Sequence, residues 1–217
     1  GGTQNEHIRG LAIASDGCIY AAGWFRSSSL LVGNTIVLFN ADTMTDNAFL
    51  VRLDQSGTVL WAKQSSGIGS EQAFAVSADA AGGAVIAGSY FDTARFDTVV
   101  LPSYGSRDMF VAHYDALGTI TFAEHGGGVF DDAAYGVSCD PSGTFASVVG
   151  YFNFGPSQNG SAQFSGHRLA SNGYMDAFVA LYDSSGECQW AKGAGGQSMD
   201  EAHGIAEAQS RNRRPRP

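Results

Sequence analysis

Charged side chains make up only 15% of this 217-residue chain, against about 25% in an ordinary soluble domain. Proline is limited to five residues and cysteine to three. The charged faces of a coiled coil or a helix-rich domain are missing, and so is the proline of a collagen. Cys18, Cys139 and Cys188 show no Cys-x-x-Cys spacing and cannot all pair with one another, so they outline neither a zinc site nor a disulfide framework. No apolar run approaches the roughly 18 residues of a membrane span, and no charged-then-apolar leader opens the sequence. Basic residues are few as well. The last seven residues hold four of the 12 basic side chains and none of the 21 acidic ones, which leaves residues 1–210 at 8 against 21. A surface this negative repels phosphate backbones, so nucleic acid is not an expected partner.

What is abundant is glycine, 29 residues, together with 44% hydrophobic and 12% aromatic content. That is enough apolar material for a core and enough glycine for many tight turns. It also repeats. DNAFLVRLDQSGTVLWAKQSSG (46–67) recurs as RDMFVAHYDALGTITFAEHGGG (107–128) and MDAFVALYDSSGECQWAKGAGG (175–196). Phe49, Phe110 and Phe178 are spaced by 61 and then 68 residues, and Trp61, Phe122 and Trp190 keep the same offset. A second block precedes each copy: 6–25, 71–91 and 132–152, with a fourth beginning as DEAHGIAEAQS at 200–210.

Each block reads as two short strands around a tight turn, because alternating runs such as Phe49/Val51/Leu53 flank Asp-x-x-Gly punctuation. Asp54 with Gly57, Asp115 with Gly118 and Asp183 with Gly186 are read as turn formers: the carboxylate accepts backbone N–H groups and the glycine tolerates the exit conformation. Four strands per unit, repeated at more than 60 residues without helical periodicity, predict an all-β fold of four-stranded antiparallel β-propeller blades. A parallel β-helix is the alternative, but its rungs are shorter. The expected boundaries are 1–67, 68–128 and 129–196 for three blades and 197–210 for the first strand of a fourth, with a basic, disordered Pro/Arg tail at 211–217. Gly10, Ala75, Gly136 and Gly204 hold one position with small residues only, as crowding of inner strands near an axis requires.

The pattern D-A-F-V-A-x-x-D-x-x-G-x-x-x-W-A-x-x-x-G-G, with G-I/V-A and D-x-x-G steps before it, resembles the SBBP-type β-propeller repeat of bacterial cell-surface and secreted proteins over residues 1 to about 206. That resemblance implies a location outside the cell or at its surface and no particular activity; the expected role is a non-enzymatic rigid scaffold for protein or glycan binding. Asn47 in place of Asp108 and Asp176, and Phe122 in place of tryptophan, depart from the pattern.

Propellers close with about four to eight blades. Three blades and one strand therefore predict an open or partial propeller whose terminal faces and strand edges favour self-association. Gly1-Gly2 matches the pair that ends the later units, which suggests an earlier blade cut away.

Strand order places the connections from each fourth strand to the next first strand, and from second to third strands, on one face. The second-to-third connections, 24–47, 91–108 and 152–176, are long and varied, so this face is the candidate recognition surface for protein or glycan. Each carries a stretch read as a minor hairpin (30–39, 94–101 and 161–169). The same face is expected to carry Glu6, Glu71, Asp132 and Asp200, one acid per unit. They are read either as structural caps or as a calcium site built of carboxylates. Trp24, Phe25, Tyr90, Tyr104 and Tyr151 lie near it, and their exposure or burial separates a binding platform from a purely structural array. Asn159-Gly160-Ser161 fits an N-glycosylation acceptor.

No G-x-S-x-G, GxGxxG, P-loop or HExxH is present, and the five histidines are not repeat-equivalent, so neither an enzyme nor a cofactor is expected. Ser, His and Asp are all present without a spacing that singles out a triad. Asp-x-x-Gly-x-x-x-Trp looks like the tryptophan motif of quinone-dependent dehydrogenase propellers, whose repeats are shorter and whose catalytic acids have no match here.

Overall fold

The computed structural model describes residues 2–155 and 160–206. It therefore leaves Asn159 of the glycosylation motif, the end of the fourth block and the basic tail outside the described residues. The described chain is all β, with no helix.

The first module comprises β1 (Glu6–Ile13), β2 (Ile19–Phe25), β5 (Asn47–Leu53) and β6 (Val59–Gly67). Between its second and third strands it carries the hairpin β3 (Ser29–Val32) and β4 (Ile36–Phe39). The second module repeats this plan with β7 (Glu71–Ala78), β8 (Ala84–Phe91), β11 (Arg107–Tyr114) and β12 (Ile120–Gly128) around the hairpin β9 (Ala94–Phe96) and β10 (Val99–Leu101). The third uses β13 (Asp131–Cys139), β14 (Phe145–Phe154), β17 (Asp176–Asp183) and β18 (Cys188–Ala194) around β15 (Ser161–Phe164) and β16 (His167–Ala170). All strand pairs inside a module are antiparallel and join neighbours in the up-and-down order foreseen, as in blades of a partial propeller.

The hairpins do more than fill a loop. β9 pairs with β6 of the preceding blade, Ser65 opposite Phe96 and Gly67 opposite Ala94. β15 pairs with β12 in the same way, Gly126 opposite Phe164 and Gly128 opposite Ala162. Two sheets thereby grow to six strands, and every blade after the first is tied to its predecessor by backbone hydrogen bonds. The joint needs glycine. A Cβ on Gly67 would lie 2.2 Å from the Thr93 carbonyl oxygen, and one on Gly128 would lie 2.1 Å from that of Ser161.

Side-chain alternation divides each sheet between two cores. Phe110, Ala112 and Tyr114 face blade 1, whereas Met109 and Val111 face blade 3. The hairpins cover these layers: the rings of Phe96 and Phe110 lie 4.6 Å apart, and those of Phe164 and Phe178 lie 4.8 Å apart.

The small position on each first strand follows a β-bulge, at Ile8/Gly10, Ala73/Ala75 and Ala134/Gly136. Residues 200–206 take the place of a further first strand but are not one. Asp200 donates to the Met175 carbonyl (2.8 Å), Ala202 donates to that of Gly150 (3.3 Å), and a single parallel bridge joins Met175 and Met199. Of the strand expected at 197–210, the described residues 197–206 form no strand, only the bridge at Met199, and 207–210 lie outside the described residues.

Candidate functional site: the loop face and the inner strands

The turn aspartates lie on the opposite face from the long loops. Asp115 Oδ1 accepts the N–H groups of Leu117 (2.9 Å) and Thr119 (2.8 Å). Asp54 does the same for Ser56 and Thr58, and Asp183 for Ser185 and Glu187. Gly57, Gly118 and Gly186 exit these turns at φ of 83°, 81° and 89°, where a side chain is strained.

On the loop face, the per-blade acids each grip a connecting turn. Asp132 Oδ2 accepts the Gly128 N–H (2.8 Å) and its Oδ1 that of Asn153 (2.9 Å). Asp200 accepts from Gly196 N–H (2.8 Å), and Glu71 Oε2 from the Ser65 hydroxyl (3.0 Å). Glu6, without a preceding blade in this chain, accepts from the Ser27 hydroxyl instead. The acids starting the third strands behave alike: Asp108 accepts the Tyr104 N–H (2.7 Å) and Asp176 that of Asn172 (2.5 Å). Where blade 1 has Asn47, the neighbouring Asp46 carries the charge, paired with Arg26 Nε (2.7 Å) and Gln72 Nε2 (2.7 Å).

Burial dominates the electrostatics of this layer. It lifts the Glu71 carboxyl to about 8 and the Asp108 carboxyl to about 6. Asp132 is pushed well above the usual range by burial, and the neighbouring Asp108 and Asp131 charges add to the shift. One oxygen each of Glu71, Asp108 and Asp176 is buried without a hydrogen-bond partner among the described residues. Among the described residues no group of three or more His, Cys, Asp or Glu side chains is placed to hold a metal ion.

The aromatic residues do not form one exposed cluster. Phe25, Tyr90 and Tyr151 are buried, and the Tyr90 hydroxyl donates to the Pro102 carbonyl (2.7 Å). Trp24 is half-buried against His7, with rings 4.1 Å apart. Tyr104 is 49% exposed and stacks on His125 at 4.5 Å.

A feature absent from the sequence reading lines the inner strands. The bulged residues Arg9, Phe74 and Tyr135 stack in a column that His203 extends: 5.9 Å from Arg9 to Phe74, 5.2 Å from Phe74 to Tyr135 and 5.0 Å from Tyr135 to His203. Beside it a cleft of about 190 Å³ is edged by Gln72, Phe74, Arg107, Tyr135 and Tyr151. Only the conserved offset from the small position on the first strand signals this column, and its residue types differ in every copy.

One hydrogen-bonded series has the order of a catalytic triad. Asp79 Oδ2 meets His113 Nε2 at 2.5 Å, and His113 Nδ1 meets Thr121 Oγ1 at 2.5 Å. In blade 1 Arg52 holds the position of His113, while Ala14 holds that of Asp79; Arg52 instead pairs with Asp16 at 2.6 Å and donates to the Ala116 carbonyl, tying two turns together. Burial pushes the nearby Cys139 thiol up to about 11, far from a nucleophilic thiolate at neutral pH.

Neither a family model nor a curated protein matches this chain.

Proposed function

We propose that the chain is a non-enzymatic, rigid repeat scaffold, of the kind its SBBP-like repeats suggest, working outside the cell or at its surface. It presents the loop face and inner strands to protein or glycan. The observation that carries this reading is the cleft beside the stacked column, where half-exposed rings lie next to the Arg107 guanidinium and the Gln72 amide on strands fixed by blade packing. Flat rings beside hydrogen-bonding groups suit a sugar ring or a peptide.

The test is binding of the 217-residue protein to immobilised oligosaccharides and peptides, repeated with Tyr135→Ala and Arg107→Ala. Saturable binding that both variants weaken supports the reading, and absence of binding across the panel overturns it. The burial of Phe25, Tyr90 and Tyr151 favours a second reading, a structural array with no specific ligand. Absence of binding is the outcome that array predicts.

A further inference from the structure

We infer that the cleft between blades 2 and 3 takes a hexuronic acid residue, a sugar ring carrying one carboxylate, and that Arg107 holds the carboxylate. The inference rests on the binding platform proposed above and names the class of ligand.

One pair of positions distinguishes the two seams between blades. In the first seam Asp46 is buried, and its carboxylate accepts from Arg26 Nε (2.7 Å) in its own blade and from Gln72 Nε2 (2.7 Å) across the seam. By the repeat, Arg107 stands for Asp46 in the second seam and Ala133 stands for Gln72. A guanidinium and a methyl group thus replace an acid and its cross-seam donor, and the missing amide opens the cleft of about 190 Å³. That space suits a single ring, since a cavity of about 150 Å³ takes benzene. Its walls belong to two adjoining blades, with β7, β8 and β11 on one side and β13 and β14 on the other.

The Arg107 guanidinium pairs with no carboxylate among the described residues. Its one hydrogen bond there goes to Ser89 Oγ of the same blade, at 3.2 Å. Asp131 is engaged elsewhere: its Oδ1 accepts the Arg107 backbone N–H (3.1 Å) and the Ser106 hydroxyl (2.5 Å). A guanidinium presents a planar fork of N–H donors that a carboxylate meets with two parallel bonds, and most of that fork is left over for a ligand. With 8 basic against 21 acidic residues over 1–210, the surface as a whole repels polyanions, so the fitting ligand brings a single carboxylate to this local cation.

The rest of the lining suits the sugar. The rings of Tyr135 and Tyr151 lie 5.5 Å apart and offer apolar faces to the C–H side of a pyranose. Burial, then the Tyr135 hydroxyl and Asp131, push the Tyr151 hydroxyl up, so it stays a donor at neutral pH, while the Arg107 charge acts on it in the opposite sense. The Ser89 hydroxyl and the Gln72 amide complete the polar edge. Hydroxyls and an amide both donate and accept, as sugar hydroxyls do, whereas the last residue of a peptide carries its acid beside a side chain that calls for a pocket of its own.

Titration of the 217-residue protein, followed by nuclear magnetic resonance, compares methyl glucuronide and methyl galacturonide with the matching neutral glycosides and with an N-acetylated dipeptide acid. At least one uronide should bind about tenfold or more tighter than its neutral partner, and added salt should shrink the difference. Arg107→Gln should abolish the difference. Arg95→Gln makes the same change of charge on hairpin β9, outside the cleft, and should preserve it. Ala133→Gln restores the amide of the first seam and should weaken acid and neutral sugar alike. Equal binding of uronides and neutral glycosides overturns the inference and leaves the platform standing, as does a dipeptide acid that binds tighter than either uronide. A preference that survives both Arg107→Gln and high salt overturns it too. Absence of binding by every compound overturns the inference and the platform together.

Discussion

A buried acid at the start of an inner strand makes stability depend on pH in the unusual direction. The Glu71 carboxyl titrates near 8 when folded, against 4.5 as a free side chain. Between those values the folded state holds a proton that the unfolded state has released, so this contribution to stability falls as pH rises through the window and is flat above it. Asp54, Asp140 and Asp183 are shifted down, and their contribution is lost only at acid pH. Glu71→Gln keeps a partner for the Ser65 hydroxyl and removes the charge. It should flatten the decline of melting temperature between pH 5 and 9 and stabilise the fold at the alkaline end by about 1–3 kcal/mol. On the turn face, Asp115→Ala removes the acceptor for two backbone N–H groups and should cost about 1 kcal/mol in chemical denaturation, with Asp115→Asn milder. The turn acids were legible in the sequence because a short range of backbone satisfies them. The partners of Glu71 and Asp132 were not, since burial depends on how neighbouring blades close over them.

At the scale of the element, the hairpins between second and third strands decide how blades hold together. Their existence was readable from alternation in 94–101 and 161–169, but their pairing with the preceding blade was not. The contact is three residues long, and its chief sequence trace is one glycine, Gly67 or Gly128, that also reads as a turn. Phe110 shows what the hairpin covers: it is fully buried between strand and hairpin, against Phe96. Phe110→Ala should destabilise by about 3–5 kcal/mol, measured by urea unfolding, because neither the six-stranded sheet nor the hairpin can collapse into the space. Trp24, Tyr90 and Tyr151 illustrate the opposite failure. Their proximity to the loop face was legible, but a position near a loop does not say whether the next blade covers the ring.

Across the whole molecule, repetition fixes an all-β series of three blades built and joined alike, with residues 200–206 seated where a further first strand would lie. The calcium reading of Glu6, Glu71, Asp132 and Asp200 has its test at this scale. Each acid already serves a different turn through backbone or hydroxyl donors, so a chelator should leave the melting temperature unchanged, and a loss of several degrees would restore a cation site. The central claim is that each later blade is fastened to its predecessor by its own hairpin. Backbone proton contacts measured by nuclear magnetic resonance in an isotope-labelled sample test it most directly. The account predicts cross-strand contacts between Ser66 and Arg95 and between Gly127 and Gln163. β9 and β15 paired only with their hairpin partners β10 and β16, with no contact to β6 or β12, would contradict it.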